Sequence, residues 1–177
     1  STQAKTLFPY TTLFRSTSDL PPALEGAQLL REEMLMVVGE EHPLRGAGAV
    51  SLPQFFSQEL AMFRRGFYHR EHMEALAQGL GIEPNIGFES NLIPLLKAVV
   101  RQGFAVTTFL RMALEEETAL CGIPFAPPIF LDLCVAWRRG DPLSMANRAL
   151  RDFLLAQAKP EPTLDSALRD NNLGDNR

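Results

Sequence analysis

Few residues in this chain are grouped in a way that could do chemistry. His69 and His72 stand one helical turn apart with Glu71 between them, a spacing at which two imidazoles can clip a divalent metal once a third ligand completes the set. No third ligand stands at a recognised spacing, so the pair is expected on a solvated helix face and no metal is expected. Gly79-Leu80-Gly81 begins like a dinucleotide-binding loop, but Pro84 occupies the position of the third glycine and the pair closes a helix instead of opening one. Glu115-Glu116-Glu117 reads as the wet face of a short helix, not as an acid–base pair. Neither Cys121 nor Cys134 has a local base to make a thiolate nucleophile, and no Gly-x-Ser-x-Gly elbow is present. No catalytic residue and no cofactor are therefore expected.

The elements that would have to position any site are soluble in character. The 177 residues suffice for one domain or two small lobes; 46% are hydrophobic and 21% charged, ordinary values for a globular protein. No apolar run approaches the ~18 residues that would span a bilayer. A net charge of −4 argues against this stretch gripping nucleic acid by phosphate neutralisation. Two cysteines cannot build a disulfide framework and are expected as buried thiols in a reducing compartment.

Both ends stand apart from the rest. Thr6 to Ser16 reads TLFPYTTLFRS, aromatics without period around a proline, and resembles codon for codon the translation of a common sequencing adapter. Residues 1–16 are accordingly read as a non-native segment outside the fold. Residues 158–177, with two prolines and few apolar side chains, are expected to be a disordered tail.

Between them, strands and helices alternate. Leu29-Leu30 and then, after the charged Arg31-Glu32-Glu33, Met34–Val38 give a short apolar run ending at Gly39, the pattern of a strand buried on both faces. Ser51-Leu52-Pro53-Gln54 has capping-box form. A strand at Glu59–Phe63 leads to a helix with Met73, Leu76, Ala77 and Leu80 on one face, stopped at Gly81. Asn85–Glu89 alternates as a strand; Ser90-Asn91 is placed to cap a helix with Leu92, Leu95, Leu96, Val99 and Val100 in one stripe, ending at Gly103. Phe104–Phe109 is a strand, Leu110–Glu117 a short helix and Leu120–Phe125 a strand. Ala126-Pro127-Pro128 breaks the chain before a further strand at Ile129–Trp137. Ser144 caps a last helix with Met145, Ala149, Leu150, Phe153 and Leu154 inward. Such alternation implies an α/β fold with a mostly parallel sheet.

The order of LLREEMLMVVGEEHPL (29–44), SLPQFFSQELAMF (51–63), IEPNIGFESN (82–91), LIPLLKAVVRQGFAVTTFL (92–110) and IPFAPPIFLDLCVAWRRGDPLSMANRALRDFLL (123–155) resembles the effector-binding region of LysR-type transcriptional regulators. Members usually carry Gly-x-Gly, an apolar residue and Pro where this chain has GFAVTTF (103–109). The resemblance implies a periplasmic-binding-protein-like fold of two Rossmann-like lobes with a small-molecule effector in the cleft, in a cytoplasmic protein that is a homo-oligomer when intact. Residues 17–48 and 128–157 would be parts of an incomplete lobe I and 49–127 lobe II. DNA would be bound only through an N-terminal winged helix-turn-helix upstream of this stretch. Met34–Val38 and Ile129–Trp137 would then present uncovered sheet edges.

In such a fold the effector meets loops leaving the carboxyl ends of strands, where helix N-termini present free N–H groups. Here those loops are Arg64-Arg65-Gly66-Phe67, Ser90-Asn91 and Thr107-Thr108-Phe109. Two adjacent arginines before a helix favour a carboxylate or phosphate, so the expected effector is a small anionic metabolite; solvated surface arginines remain the plain alternative. A solute-binding protein of the same two-lobed fold and a small α/β enzyme are the other classes open at this point.

Overall fold

The structure, a computed structural model, describes residues 20–140 and 142–158. The adapter-like segment and all of the expected tail beyond Ala158 lie outside the described residues. Local sequence sets the element boundaries in several places. Ser51 Oγ accepts from the Gln54 N–H at 3.3 Å and Gln54 Oε1 accepts from the Ser51 N–H at 2.9 Å, so α1 (Leu52–Phe56) begins where the two groups satisfy each other. The helix α2 (Tyr68–Gly79) ends just before Gly81, whose φ of +68° is the left-handed conformation that glycine adopts without steric cost.

The remaining elements in chain order are β1 (Leu24–Gly39) and, after α1, β2 (Leu60–Met62). Beyond α2 come β3 (Ile86–Glu89), α3 (Ile93–Arg101), β4 (Thr107–Leu110), a 3-10 turn at Arg111–Leu114, β5 (Leu120–Arg138) and α4 (Met145–Gln157). Glu32–Leu131 forms one compact unit, and the described residues outside it, 20–31, 132–140 and 142–158, belong to a second.

In the unit Glu32–Leu131, β1 lies between β4 and β5, while β2 and β3 pair in parallel. A parallel bridge from Leu60 to Val106 links the β2–β3 pair to the start of β4, and another from Val50 to Phe125 ties the segment before α1 to β5. The β1–β4 ladder is antiparallel, with Met34 opposite Leu110 and Val37 opposite Thr107, so the sheet is mixed and not mostly parallel. The expected open edge at Met34–Val38 is likewise corrected, because β4 and β5 flank it.

Side chains alternate across this sheet. Met34, Met36 and Val38 of β1 join Leu60, Met62, Val106, Phe55, Phe56, Met73 and Ala77 under α1 and α2. Val37, Ala61, Ala105 and Phe109 face the other way and pack with Leu96 and Val100 of α3. The double-faced burial expected for Met34–Val38 is what forms: all five residues are buried.

Three sequence expectations fail here. β1 is 16 residues long because Arg31, Glu32 and Glu33, which read as an interruption, sit in the strand and turn their charges to partners. Arg31 faces Asp132, Glu33 pairs with Arg111, and Glu32 accepts the Met112 N–H at 3.2 Å. The two strands expected on either side of Ala126-Pro127-Pro128 are a single β5; these three residues are exposed, the setting in which a strand tolerates a missing N–H. The helix expected over Leu110–Glu117 is only the 3-10 turn, because Leu110 is still extended at the end of β4.

In the second unit the outer parts of β1 and β5 run antiparallel, with the Arg139 N–H on the Ala23 carbonyl (2.9 Å), Trp137 Nε1 on Glu25 (3.1 Å) and Gln28 on Asp132 (3.0 Å). Ser144 caps α4 as expected, accepting from the Asn147 N–H. The inward face expected on α4 is corrected. No residue of that helix is buried, and Met145 is 82% and Phe153 61% exposed. Among the described residues no apolar layer covers that stripe. Cys134 is buried but Cys121 only half-buried, and neither is in a disulfide. No described helix is long and apolar enough to cross a membrane.

Candidate functional site

The three predicted segments come together at one end of the unit Glu32–Leu131. Arg64 to Phe67 leave β2 and enter α2; Ser90-Asn91 leave β3 and enter α3; Thr107 to Phe109 are in β4 beside them. The Arg64 N–H donates to Asn91 Oδ1 at 3.0 Å, tying the first two loops across 27 residues of sequence. Gly66, at φ +92°, makes the turn between the arginines and the helix.

Ser90 and Asn91 do not cap α3 as expected. Leu92 is the N-cap residue; Ser90 Oγ accepts from the Leu92 N–H at 3.1 Å, and Asn91 is spent on Arg64. Neither α2, whose N-cap is Phe67, nor α3 has a side-chain cap. Two helix N-termini, each carrying partial positive charge, therefore open beside the ends of two paired strands.

Exposure divides the predicted residues. Arg64, Arg65, Gly66, Phe67 and Asn91 are exposed, whereas Ser90, Thr107, Thr108 and Phe109 are buried. Phe63 joins the two sets: it stacks on Phe67 (5.8 Å between centroids), meets Phe109 edge-on (6.0 Å) and lies 5.1 Å from His69. Thr107 Oγ1 is buried without a hydrogen-bond partner.

His69 is not on a solvated face. Its Nε2 lies 2.6 Å from Thr108 Oγ1, and burial, assisted by the nearby His72, lowers its pKa to about 4, so the ring is neutral at physiological pH. Among the described residues no group of three or more His, Cys, Asp or Glu is arranged to hold a metal. Of the glutamate run, Glu117 is half-buried instead of wet. Lys97 (2.8 Å) and Arg101 (3.1 Å) hold it, and the Lys97 hydrogen bond leads in depressing its pKa.

Sequence reasoning also missed Arg70, buried at 2% exposure. Its Nη1 donates to the Phe63 carbonyl (2.8 Å) and Glu89 Oε1 (2.7 Å), and its Nη2 reaches Glu74 Oε1 (2.9 Å). Glu74 also holds Arg65 at 3.3 Å. Burial works to raise the Glu74 pKa, but hydrogen bonds and charge from Arg70 and Arg65 outweigh it and leave the carboxyl below its ordinary range. A signal for Arg70 existed: it stands at i relative to Met73 (i+3) and Ala77 (i+7), on the helix stripe that is buried. The cavity of about 430 Å³ lined by Leu20, Glu25, Trp137 and Arg139 belongs to the other unit and involves none of these residues.

Comparison with known proteins puts the arrangement in context. The family model for the LysR substrate binding domain matches residues 12–159. The RuBisCO operon transcriptional regulator of Allochromatium vinosum is 27% identical over 143 residues, covering 76% of this chain and 46% of the regulator. The chain thus spans about half the length of the curated relatives it matches. Two solved structures share the fold. The Synechocystis PCC6803 CcmR regulatory domain, in complex with 2-PG, has a TM-score of 0.74 at 18% identity, over 85% of this chain and 74% of that one. The effector binding domain of QuiR, in complex with shikimate, has a TM-score of 0.70 at 19% identity, over 82% of this chain and 70% of that one. The match over most of its length establishes that this chain belongs to the LysR substrate binding domain family.

Proposed function

We propose that this chain is the effector-sensing part of a cytoplasmic LysR-type transcriptional regulator that binds a small anionic metabolite and does no catalysis. Residues 49–127 are read as lobe II, and 17–48 with 128–157 as parts of an incomplete lobe I. DNA would be contacted only by a winged helix-turn-helix outside this stretch, and the intact protein would be a homo-oligomer. The acidic net charge supports that division of labour.

One observation carries the reading of the site. Two uncapped helix N-termini and the arginine pair converge on paired strand ends, with Arg64 tied to Asn91. Backbone N–H groups at such ends, with a guanidinium beside them, suit a carboxylate or phosphate. Arg64, Arg65, Gly66, Phe67, Ser90 and Asn91 would meet the effector, and Thr107, Thr108 and Phe109 would form the floor beneath them. The ligands named for CcmR and QuiR, 2-phosphoglycolate and shikimate, both offer a carboxylate and so are reasonable probes.

Calorimetric titration of the chain with 2-phosphoglycolate, repeated for Arg64→Ala, Arg65→Ala and Asn91→Ala, tests the assignment. At least one variant should lose affinity fivefold or more, about 1 kcal/mol. Affinities within about twofold of the parent for all three would move the effector elsewhere. A gel shift at physiological salt should show no tight, sequence-selective DNA binding by this chain alone.

A further inference from the structure

A buried charge is costly to keep, and Arg70 keeps one on the buried face of α2. It stands on the α2 stripe with Met73 and Ala77, and its Nε has no hydrogen-bond partner although it is buried. Glu74 and Glu89 are partly exposed, so pairing with them offsets only part of the cost of burying the guanidinium, and stability alone does not account for it. Its contacts do. The Phe63 carbonyl it binds immediately precedes Arg64, and Glu89, which it also binds, immediately precedes Ser90-Asn91. Glu74 relays the same guanidinium to Arg65.

We propose that Arg70 is the positioning residue of the effector edge, fixing where the Arg64–Phe67 and Ser90–Asn91 loops begin without itself touching the effector. The proposal rests on the functional reading above for its consequence, but its geometry stands independently. A guanidinium presents donors in a rigid planar fork, so one side chain holds the ends of β2 and β3 and its own helix at once. The Arg64–Asn91 hydrogen bond then forms between loops whose roots are already set. Loops pre-set in this way lose little further freedom on binding, which raises affinity without adding a contact.

The test uses the full 177-residue chain. Amide hydrogen exchange is followed by NMR at Arg64 and Leu92, whose N–H groups bond Asn91 Oδ1 and Ser90 Oγ. Leu60 and Val106, whose N–H groups bond strand neighbours, serve as references. In Arg70→Lys, which keeps the charge but not the fork, exchange at Arg64 and Leu92 should rise at least threefold while the references stay within twofold. Glu89→Gln, at a half-exposed position, should show the same pattern more weakly and serves if changes at Arg70 prevent folding. Unchanged rates at Arg64 and Leu92, or a parallel rise at all four amides, would overturn the proposal. Titration with 2-phosphoglycolate separates it from the functional reading. If the parent binds, Arg70→Lys should bind at least fivefold more weakly, and equal affinity would count against positioning. If the parent does not bind, the functional reading fails and the exchange pattern alone decides the role of Arg70.

Discussion

The helices α3 and α4 both carry an apolar stripe, and the two regions of the molecule treat them differently. In the unit Glu32–Leu131, α3 buries Leu96 and Val100 against Val37, Ala61 and Phe109 of the sheet. In the second unit no residue of α4 is buried; Leu154 and Leu155 are only half-buried, and Met145, Leu150 and Phe153 remain exposed. Buried apolar residues outside Glu32–Leu131 are confined, among the described residues, to Leu29, Cys134 and Val135. An amphipathic pattern states which face a helix can bury; only an opposing layer decides whether it does. The first region has helices on both faces of its sheet and should behave as a cooperative core, whereas the second should tolerate loss of its apolar side chains.

The largest contrast should come from phenylalanines. Phe55, fully buried and edge-on to both Phe56 and Phe125, should cost about 3–5 kcal/mol on truncation to alanine. Phe153→Ala should cost less than about 0.5 kcal/mol in the same denaturant titration. Similar losses at the two sites would break the comparison.

Acid should weaken the first region in two stages. The unfolded chain protonates His69 near pH 6.5 and the folded chain only near 4, so in that window the unfolded state binds more protons. Stability fully present above pH 6.5 is therefore lost as the pH falls towards 4, by roughly 3 kcal/mol if the whole shift is realised. Glu74 and Glu117 are held below their ordinary value of 4.5, so their contributions are lost only on further acidification. In His69→Gln the slope of stability between pH 6.5 and 4.5 should flatten; an unchanged slope would remove His69 from the account.

Packing tolerance offers a smaller contrast. A Cβ at Gly39 would stand 2.7 Å from the Val100 carbonyl oxygen, a backbone atom in the first region, so Gly39→Ala should cost about 1–3 kcal/mol. At Gly26 in the second region the nearest atom is the end of the Leu20 side chain, which can turn aside, and the Val135 carbonyl oxygen at 3.1 Å need yield only slightly, so Gly26→Ala should cost less. The smallest effect on stability, and the clearest on solubility, should follow Met145→Lys with Phe153→Lys. Light scattering should show less self-association with the melting midpoint nearly unchanged.

Much of the first region was legible in the sequence because its signals are local. The Ser51–Gln54 box, the glycine stop at Gly81 and the alternation at Ile86–Glu89 each depend on a few neighbouring residues. The lengths of β1 and β5 were not, since Arg31–Glu33 and Ala126–Pro128 resemble interruptions until their partners and exposure are known. The same division holds at the site. Arg64–Phe67 and Ser90-Asn91 could be placed from strand ends, whereas Thr107–Phe109 lies within β4; the spacing puts His69 on a solvated face and does not single out Arg70, and only the fold shows Thr108, Phe63, Glu89 and Glu74 closing around them.

The most direct test of the central claim is an NMR titration of the chain with 2-phosphoglycolate, which registers even millimolar affinity. Saturable shifts concentrated at the amides of Arg64–Phe67, Asn91 and the first turns of α2 and α3, with α4 unmoved, are the result this account predicts. Saturable shifts that spare these residues, or none at any concentration for this anion or for shikimate, would contradict it.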